Sequence, residues 1–377
     1  MSTLAERLAD KTGTKRILTL DGGGVRGALT LGFLERIETI LRERYGRPDY
    51  RLYEYFDLIV GTSTGAIIAA GLATGMSAAE IRAKYLELGG VIFGKRISPW
   101  MPFFLRPAKY SEKPLEDGLV ETFGDITLGD RERIKTGLSI IAKRADTYST
   151  WPFHNFPEGK YAATNGRYLL RDLLRASSAA PTYFRAKILK LDDREVGGFI
   201  DGGVSLANNP GMQALMLATL EGYSLGWPMG ADKLSITSVG TGTSPKKMEV
   251  NDLSKIRVIQ WAGAIPELFM EDASFFNQAL LQWMSDSDTP HVIDDEIGDL
   301  SRDHIGGGKL LHYNRYNVEL EATKIREITG SHYTEEAVSK MREMDAGDQA
   351  PQLAALGTKA AAKLVRPEHF RAEFDRG

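Results

Sequence analysis

The chain has 377 residues, 42% hydrophobic and 26% charged, with a net charge of −3 and no cysteine. This ordinary globular composition excludes disulfides, thiolate metal sites and a cysteine nucleophile, and it offers no basic cluster for a nucleic-acid polymer. No apolar run reaches the roughly 18 residues of a spanning helix, and the acid-bearing start MSTLAERLADKTGTK does not read as a secretory signal, so a cytoplasmic location is expected.

In chain order, KRILTL at 15–20 reads as a buried strand, and 28–45 reads as a helix with Leu31, Leu34, Ile37 and Leu41 on one face. DGGGVRG at 21–27 joins them. Free amides at such a helix start sit at the positive end of its dipole and can stabilise an oxyanion. Gly22, Gly23 and Gly24 let the backbone approach a substrate with no side chain in the way, and Val25 completes the candidate donor loop. Arg26 either braces this loop or contacts an anionic head group. Gly22, Gly24 and Gly27 also match G-x-G-x-x-G, but a dinucleotide site wants an acidic residue about 20 positions on, after a second strand. That stretch, LRERYG, is still helix, Asp21 would oppose a pyrophosphate, and no G-K-[ST] follows.

YFDLIV at 55–60 reads as the next buried strand (56–60), followed by GTSTG at 61–65 and a helix over 65–74. This is a nucleophile elbow: Ser63 sits on a tight strand-to-helix turn, with Gly61 and Gly65 giving it room. Helices follow at 77–88 and 112–122. Between them, 90–110 interleaves Phe93, Trp100, Met101, Phe103, Phe104 and Leu105 with Lys95, Arg96, Arg106 and Lys109. That pattern suits an interfacial membrane anchor, and rather better a loop folding its aromatics onto the core or over the site as a lid.

Further strands are expected at 138–142, 196–200 and 234–239, with helices at 168–177 and 209–221. The strand–helix alternation signifies a mainly parallel sheet covered on both faces, with catalytic groups at its carboxyl edge. Asp201, in GGFIDGGVSLANNP, is flanked by Gly202 and Gly203, which suit a carboxylate presented on a tight turn; DGG is also a common turn cap. A serine nucleophile needs a base, and none of the six histidines (154, 291, 304, 312, 332 and 369) lies in a run resembling a catalytic loop. A shielded aspartate can take that role. Asn208 and Asn209 are candidates for fixing its loop. Beyond the polar break at 241–252, helices are expected at 254–264, 266–284, 317–325 and 334–344, with a loop and then a strand within 298–317. The stripe of Phe269, Phe275, Phe276, Leu280 and Met284 reads as a face packed on the catalytic unit. The tail, 345–377, reads as a surface helix with a frayed end.

The blocks DGGGVRG, GTSTG and DGG, in this order, resemble those of the patatin-like phospholipase family. So do YSEKPLEDGLVETFGDITLGD at 110–130, RDLLRASSAAPTYF at 171–184, SLANNP at 205–210 and ITSVGTGT at 236–243. The resemblance covers about 14–245. It implies an α/β three-layer sandwich: a catalytic domain over 14–245 with a mainly helical part, 246–377, packed on it. It implies Ser63 as nucleophile, Asp201 as base, the backbone of Gly22, Gly23, Gly24 and Val25 as oxyanion hole, and no metal or cofactor. The implied reaction is hydrolysis of glycerophospholipid carboxyl esters, with transient contact at the inner membrane surface. A general carboxylesterase and a phospholipase effector switched on by a small ligand such as a cyclic nucleotide are the alternatives. A ligand pocket would then come from the back third or from a homodimer interface.

Overall fold

KRILTL forms β1 (Lys15–Leu20), and all six residues are buried, as a parallel strand covered on both faces requires. The computed structural model describes residues 3–94, 97, 108–192, 194–243 and 258–376. Its other strands are β2 (Leu58–Thr62), β3 (Gly137–Arg144), β4 (Ser149–His154), β5 (Lys187–Lys190), β6 (Val196–Asp201), β7 (Leu234–Val239), β8 (Ser285–Asp286) and β9 (Leu311–Tyr316). Among the described residues they form one sheet in the order β5-β6-β3-β2-β1-β7-β9-β8, with β4 also paired to β3. Pairing is parallel from β3 through to β8, whereas β4, β5 and β6 pair antiparallel at the other side.

The helices are α1 (Leu4–Ala9), α2 (Gly27–Tyr45), α3 (Leu52–Tyr55), α4 (Thr64–Ala73), α5 (Ala78–Ile92), α6 (Lys113–Phe123), α7 (Ala162–Asn165), α8 (Leu170–Ser177), α9 (Gly211–Thr219), α10 (Val258–Met284), α11 (Ala322–Thr329), α12 (Glu335–Arg342) and α13 (Ala350–Leu364). Alternate strand residues enter two separate cores. Leu18, Leu20, Ile59 and Ile140 pack with residues of α2, α4, α6, α8 and α13. Ile17, Leu58, Val60 and Ile141 pack with residues of α1 and α9. This period-2 division gives the three layers of an α/β sandwich. No helix among the described residues is long and apolar enough to cross a membrane.

The back third departs most from expectation. Residues after 245 do more than pack on the sheet: β9 lies inside it, parallel to β7. One continuous α10 replaces the expected pair of helices and runs through Pro266, where proline usually breaks a helix. The helix expected at 317–325 begins only at Ala322. The aromatic stripe of α10 faces outward at Phe269, Phe275 and Phe276. The Ala-rich tail helix is no surface element. α13 buries Leu353, Ala354, Leu356, Gly357, Ala360 and Ala361. It lies so close to α2 that a Cβ on Gly32 would come within 2.3 Å of the Gly357 carbonyl carbon. Nor does the end fray, since Phe370 and Phe374 are buried and Arg376 pairs with Asp57 at 2.5 Å. Of the aromatic–basic segment, residues 95, 96 and 98–107 lie outside the described residues. At its flanks Phe93 packs edge-on to Tyr110, and Lys109 pairs with Asp345.

Candidate active site

β1 and β2 end side by side, Leu20 facing Gly61 in the register, so the glycine loop and the serine elbow leave one edge of the sheet together. Ser63 has φ 55° and ψ −124°, a costly conformation for a residue with a Cβ. The elbow closes because bare backbone surrounds it. A Cβ on Gly61 would lie 2.3 Å from the Gly65 carbonyl oxygen, and one on Gly65 would lie 2.3 Å from that of Leu20. The Ser63 N–H donates to Ser177 Oγ at 2.8 Å, and Ser177 donates to the Ile141 carbonyl at 2.6 Å. The end of α8 thereby holds the turn.

β3 then brings the second group in. Thr62 pairs with Ile141, and Asp201 pairs with the next residue, Ala142. The ends of β2 and β6 are therefore neighbours, although 138 positions separate Ser63 from Asp201. Ser63 Oγ donates to Asp201 Oδ2 at 2.5 Å, and the Gly203 N–H donates to Oδ1 at 2.7 Å. Asp201 is 5% exposed. Burial pushes its carboxyl up to about 6, against hydrogen bonds from Ser63 and Gly203 that pull it down. Such a group is ionised at neutral pH yet basic enough to accept a hydroxyl proton. Gly202 and Gly203 form the short turn after it.

The donor loop is narrower than the four amides expected. The Gly22 N–H donates to the Asn208 carbonyl at 3.0 Å and the Val25 N–H to that of Met344 at 2.8 Å. Those two amides are committed to structure, because each closes the loop onto a neighbouring segment. Among the described residues, the Gly23 and Gly24 amides make no such bond. The loop is pinned on all sides: Thr241 Oγ1 donates to the Gly22 carbonyl at 2.8 Å, and Tyr85 donates to that of Gly24. Tyr85 also meets Thr64 Oγ1 at 2.7 Å, joining the loop to the nucleophile helix. At its foot Asp21 takes a two-pronged bond from Arg315 on β9, at 2.9 and 2.5 Å. Arg26 is buried, its guanidinium 3.9 Å from Glu271 of α10, which favours its bracing role. Gly27 begins α2. Asn208 ties the two loops together through its carbonyl, while Asn209 Oδ1 accepts from the N–H of Gly211, the first residue of α9, at 3.0 Å.

Ser63 and Asp201 open into a cavity of about 730 Å³, walled by apolar side chains of α4, α5 and α6 such as Ile67, Ile81, Leu88, Leu115, Leu119 and Phe123. Among the described residues no histidine lines it. His154 instead stacks on Phe156 with ring centroids 4.1 Å apart, and burial pushes it down to about 4. His312 is held between Ser235 and Asp288, and His369 by Tyr316. Among the described residues no cluster of three or more His, Asp or Glu could hold a metal. Tyr85, Ser177, Thr241, Arg315 and Met344 escaped the sequence reading. Ser177 and Thr241 lie inside the family-like blocks at 171–184 and 236–243, without a role read for either there.

The chain is 36% identical over 200 residues to a cGAMP-activated phospholipase of Vibrio cholerae, covering 52% of this chain and 55% of that protein. It is 33% identical over 258 residues to a cGAMP-activated phospholipase of Escherichia coli, covering 66% and 67%. With patatin-like protein 1 of Oryza sativa subsp. indica it shares 31% identity over 271 residues, covering 65% and 63%. The matched span is thus about half to two thirds of the length of these curated relatives. The family model described as patatin-like phospholipase matches residues 18–215, a stretch that holds the glycine loop, the elbow and Asp201, and the chain belongs to that family.

Proposed function

We propose that this protein hydrolyses the carboxyl esters of glycerophospholipids, releasing free fatty acid at a membrane surface. One observation carries the reading: a serine hydroxyl 2.5 Å from a buried carboxylate opens into a large apolar cavity. Asp201 takes the Ser63 proton as Oγ attacks the acyl carbonyl, and the Gly23 and Gly24 amides receive the oxyanion. The leaving alcohol of the lysolipid recovers the proton from Asp201. Water then attacks the acyl-enzyme, giving its proton to the same carboxylate, which passes it to Ser63 Oγ as the acyl–oxygen bond breaks and the fatty acid leaves. A cavity of about 730 Å³ exceeds what a short acyl group needs, which favours lipid over small soluble esters.

A second reading adds control. Two of the relatives above are named cGAMP-activated phospholipases, so this chain would stay idle until a cyclic nucleotide binds. Incubation with mixed phospholipid vesicles and a p-nitrophenyl ester series, with and without cyclic dinucleotides, separates these readings when products are profiled by mass spectrometry. Fatty acid from vesicles supports the phospholipase; short-ester hydrolysis alone supports an esterase; silence relieved by the nucleotide supports the regulated form. Ser63→Ala abolishes both turnover and labelling by a fluorophosphonate probe.

A further inference from the structure

Helix α10 is built inside out. Its buried side holds small and polar residues, among them Ser274, Asn277 and Gln282. Two of these hold the segment after Asp201: Asn277 Nδ2 donates to the carbonyls of Leu206 and Asn209, and Ser274 Oγ accepts from Asn208 Nδ2. The outward side carries Trp261, Leu268, Phe269, Phe275, Phe276 and Trp283, each between 37 and 66% exposed. At helical spacing these positions share a stripe about 120° wide, running roughly 33 Å from Trp261 to Trp283 at 1.5 Å per residue. Asp272 is exposed within this arc, but a helix facing water puts polar residues all along such a face; a stripe of this size that is otherwise apolar marks a contact surface.

Two features identify what covers it. Phe269 belongs both to the stripe and, with Met270, to the wall of the cavity that holds Ser63, so the stripe runs directly to the cavity mouth. Exposed Asp272 falls on the stripe, whereas Glu271 lies off it against Arg26, and the helix has no lysine or arginine. A second copy docked through the stripe would set Asp272 against an equally acidic face, and an anionic surface would repel it; a zwitterionic bilayer does neither. Tryptophans near both ends suit the boundary between acyl chains and head groups. We propose that α10 lies flat on a zwitterionic phospholipid bilayer and presents the cavity mouth to its acyl chains. The inference rests on the lipid-hydrolase reading for what enters the cavity, but docking itself is measured without turnover.

The test is the pair Phe275→Ser and Phe276→Ser in the full chain, since neither residue lines the cavity. Co-sedimentation with phosphatidylcholine vesicles reads docking, p-nitrophenyl butyrate hydrolysis reads the site, and light scattering reads the oligomeric state. The vesicle-bound fraction of the variant is expected to fall at least about tenfold, with soluble-ester turnover and mass unchanged. Vesicle binding that survives the pair, or a wild type that stays in the supernatant, overturns the proposal. So does a wild-type dimer that the pair splits, which would put a second copy on this face. Docking that depends on the pair, without fatty acid release either with or without cyclic dinucleotides, supports the surface and refutes the lipid-hydrolase reading instead.

Discussion

At the scale of single residues, Asp201 carries two opposed demands. As the proposed base it must be ionised, yet it sits where burial favours the neutral form and pushes it up to about 6. Turnover is therefore expected to rise with pH through about 6 and to level off above it, a profile a stopped assay over pH 4.5–8 measures on a soluble ester. The same shift acts on stability. A carboxyl raised in the folded state contributes stability that is full below its unfolded value, near 4, and lost as pH rises through the folded value. Asp201→Asn removes that penalty. It is expected to cost orders of magnitude in turnover while raising stability at pH 7 by about 1–3 kcal/mol, read by denaturant unfolding. A variant both inactive and less stable would show that the carboxylate holds the fold together. Each histidine replaced singly is expected to cost no more than about tenfold, and His154→Ala beside Asp201→Asn gives the sharpest contrast.

At the scale of elements, catalysis depends on backbone laid against backbone. Gly24 has φ +57°, and a Cβ there would lie 2.2 Å from the Met344 carbonyl oxygen. Gly24→Ala must displace the loop, and loss of one oxyanion donor lowers kcat by about 10²–10³. KM for a soluble ester is expected to hold, because the apolar wall is untouched; an unchanged kcat would move the donors elsewhere. The β1–loop–α2 and β2–elbow–α4 units were legible in the sequence because each is local: a buried run, glycines at the turn, then helical periodicity. Which amides of the proposed donor loop stay free was not legible, because carbonyls of Asn208 and Met344, far along the chain, decide it. α13 misled for a related reason. Its alanines and Gly357 look like a weak surface helix, and only their close approach to Leu29 and Gly32 of α2 reveals an inner face.

At the scale of the whole molecule, the back third holds the site up. β9 enters the sheet beside β7, Met344 receives the Val25 amide, and Arg315 grips Asp21 across 294 positions. Arg315 is 2% exposed and Asp21 4%, so neither charge has water to fall back on. Removing one partner of such a pair strands the other, and Arg315→Met is expected to cost about 3–5 kcal/mol of stability. It should lower soluble-ester turnover as well, because Asp21 immediately precedes the donor loop. The double variant Asp21→Asn, Arg315→Met removes the stranded charge and should regain part of the stability, though not the turnover that depends on loop position. Denaturant unfolding of the four proteins in the cycle, set beside their kcat values, separates these effects. If Arg315→Met unfolds and turns over like the wild type, the tie between the distant strand and the glycine loop is idle, and the loop is held by its bonds to Asn208, Met344, Thr241 and Tyr85 without it.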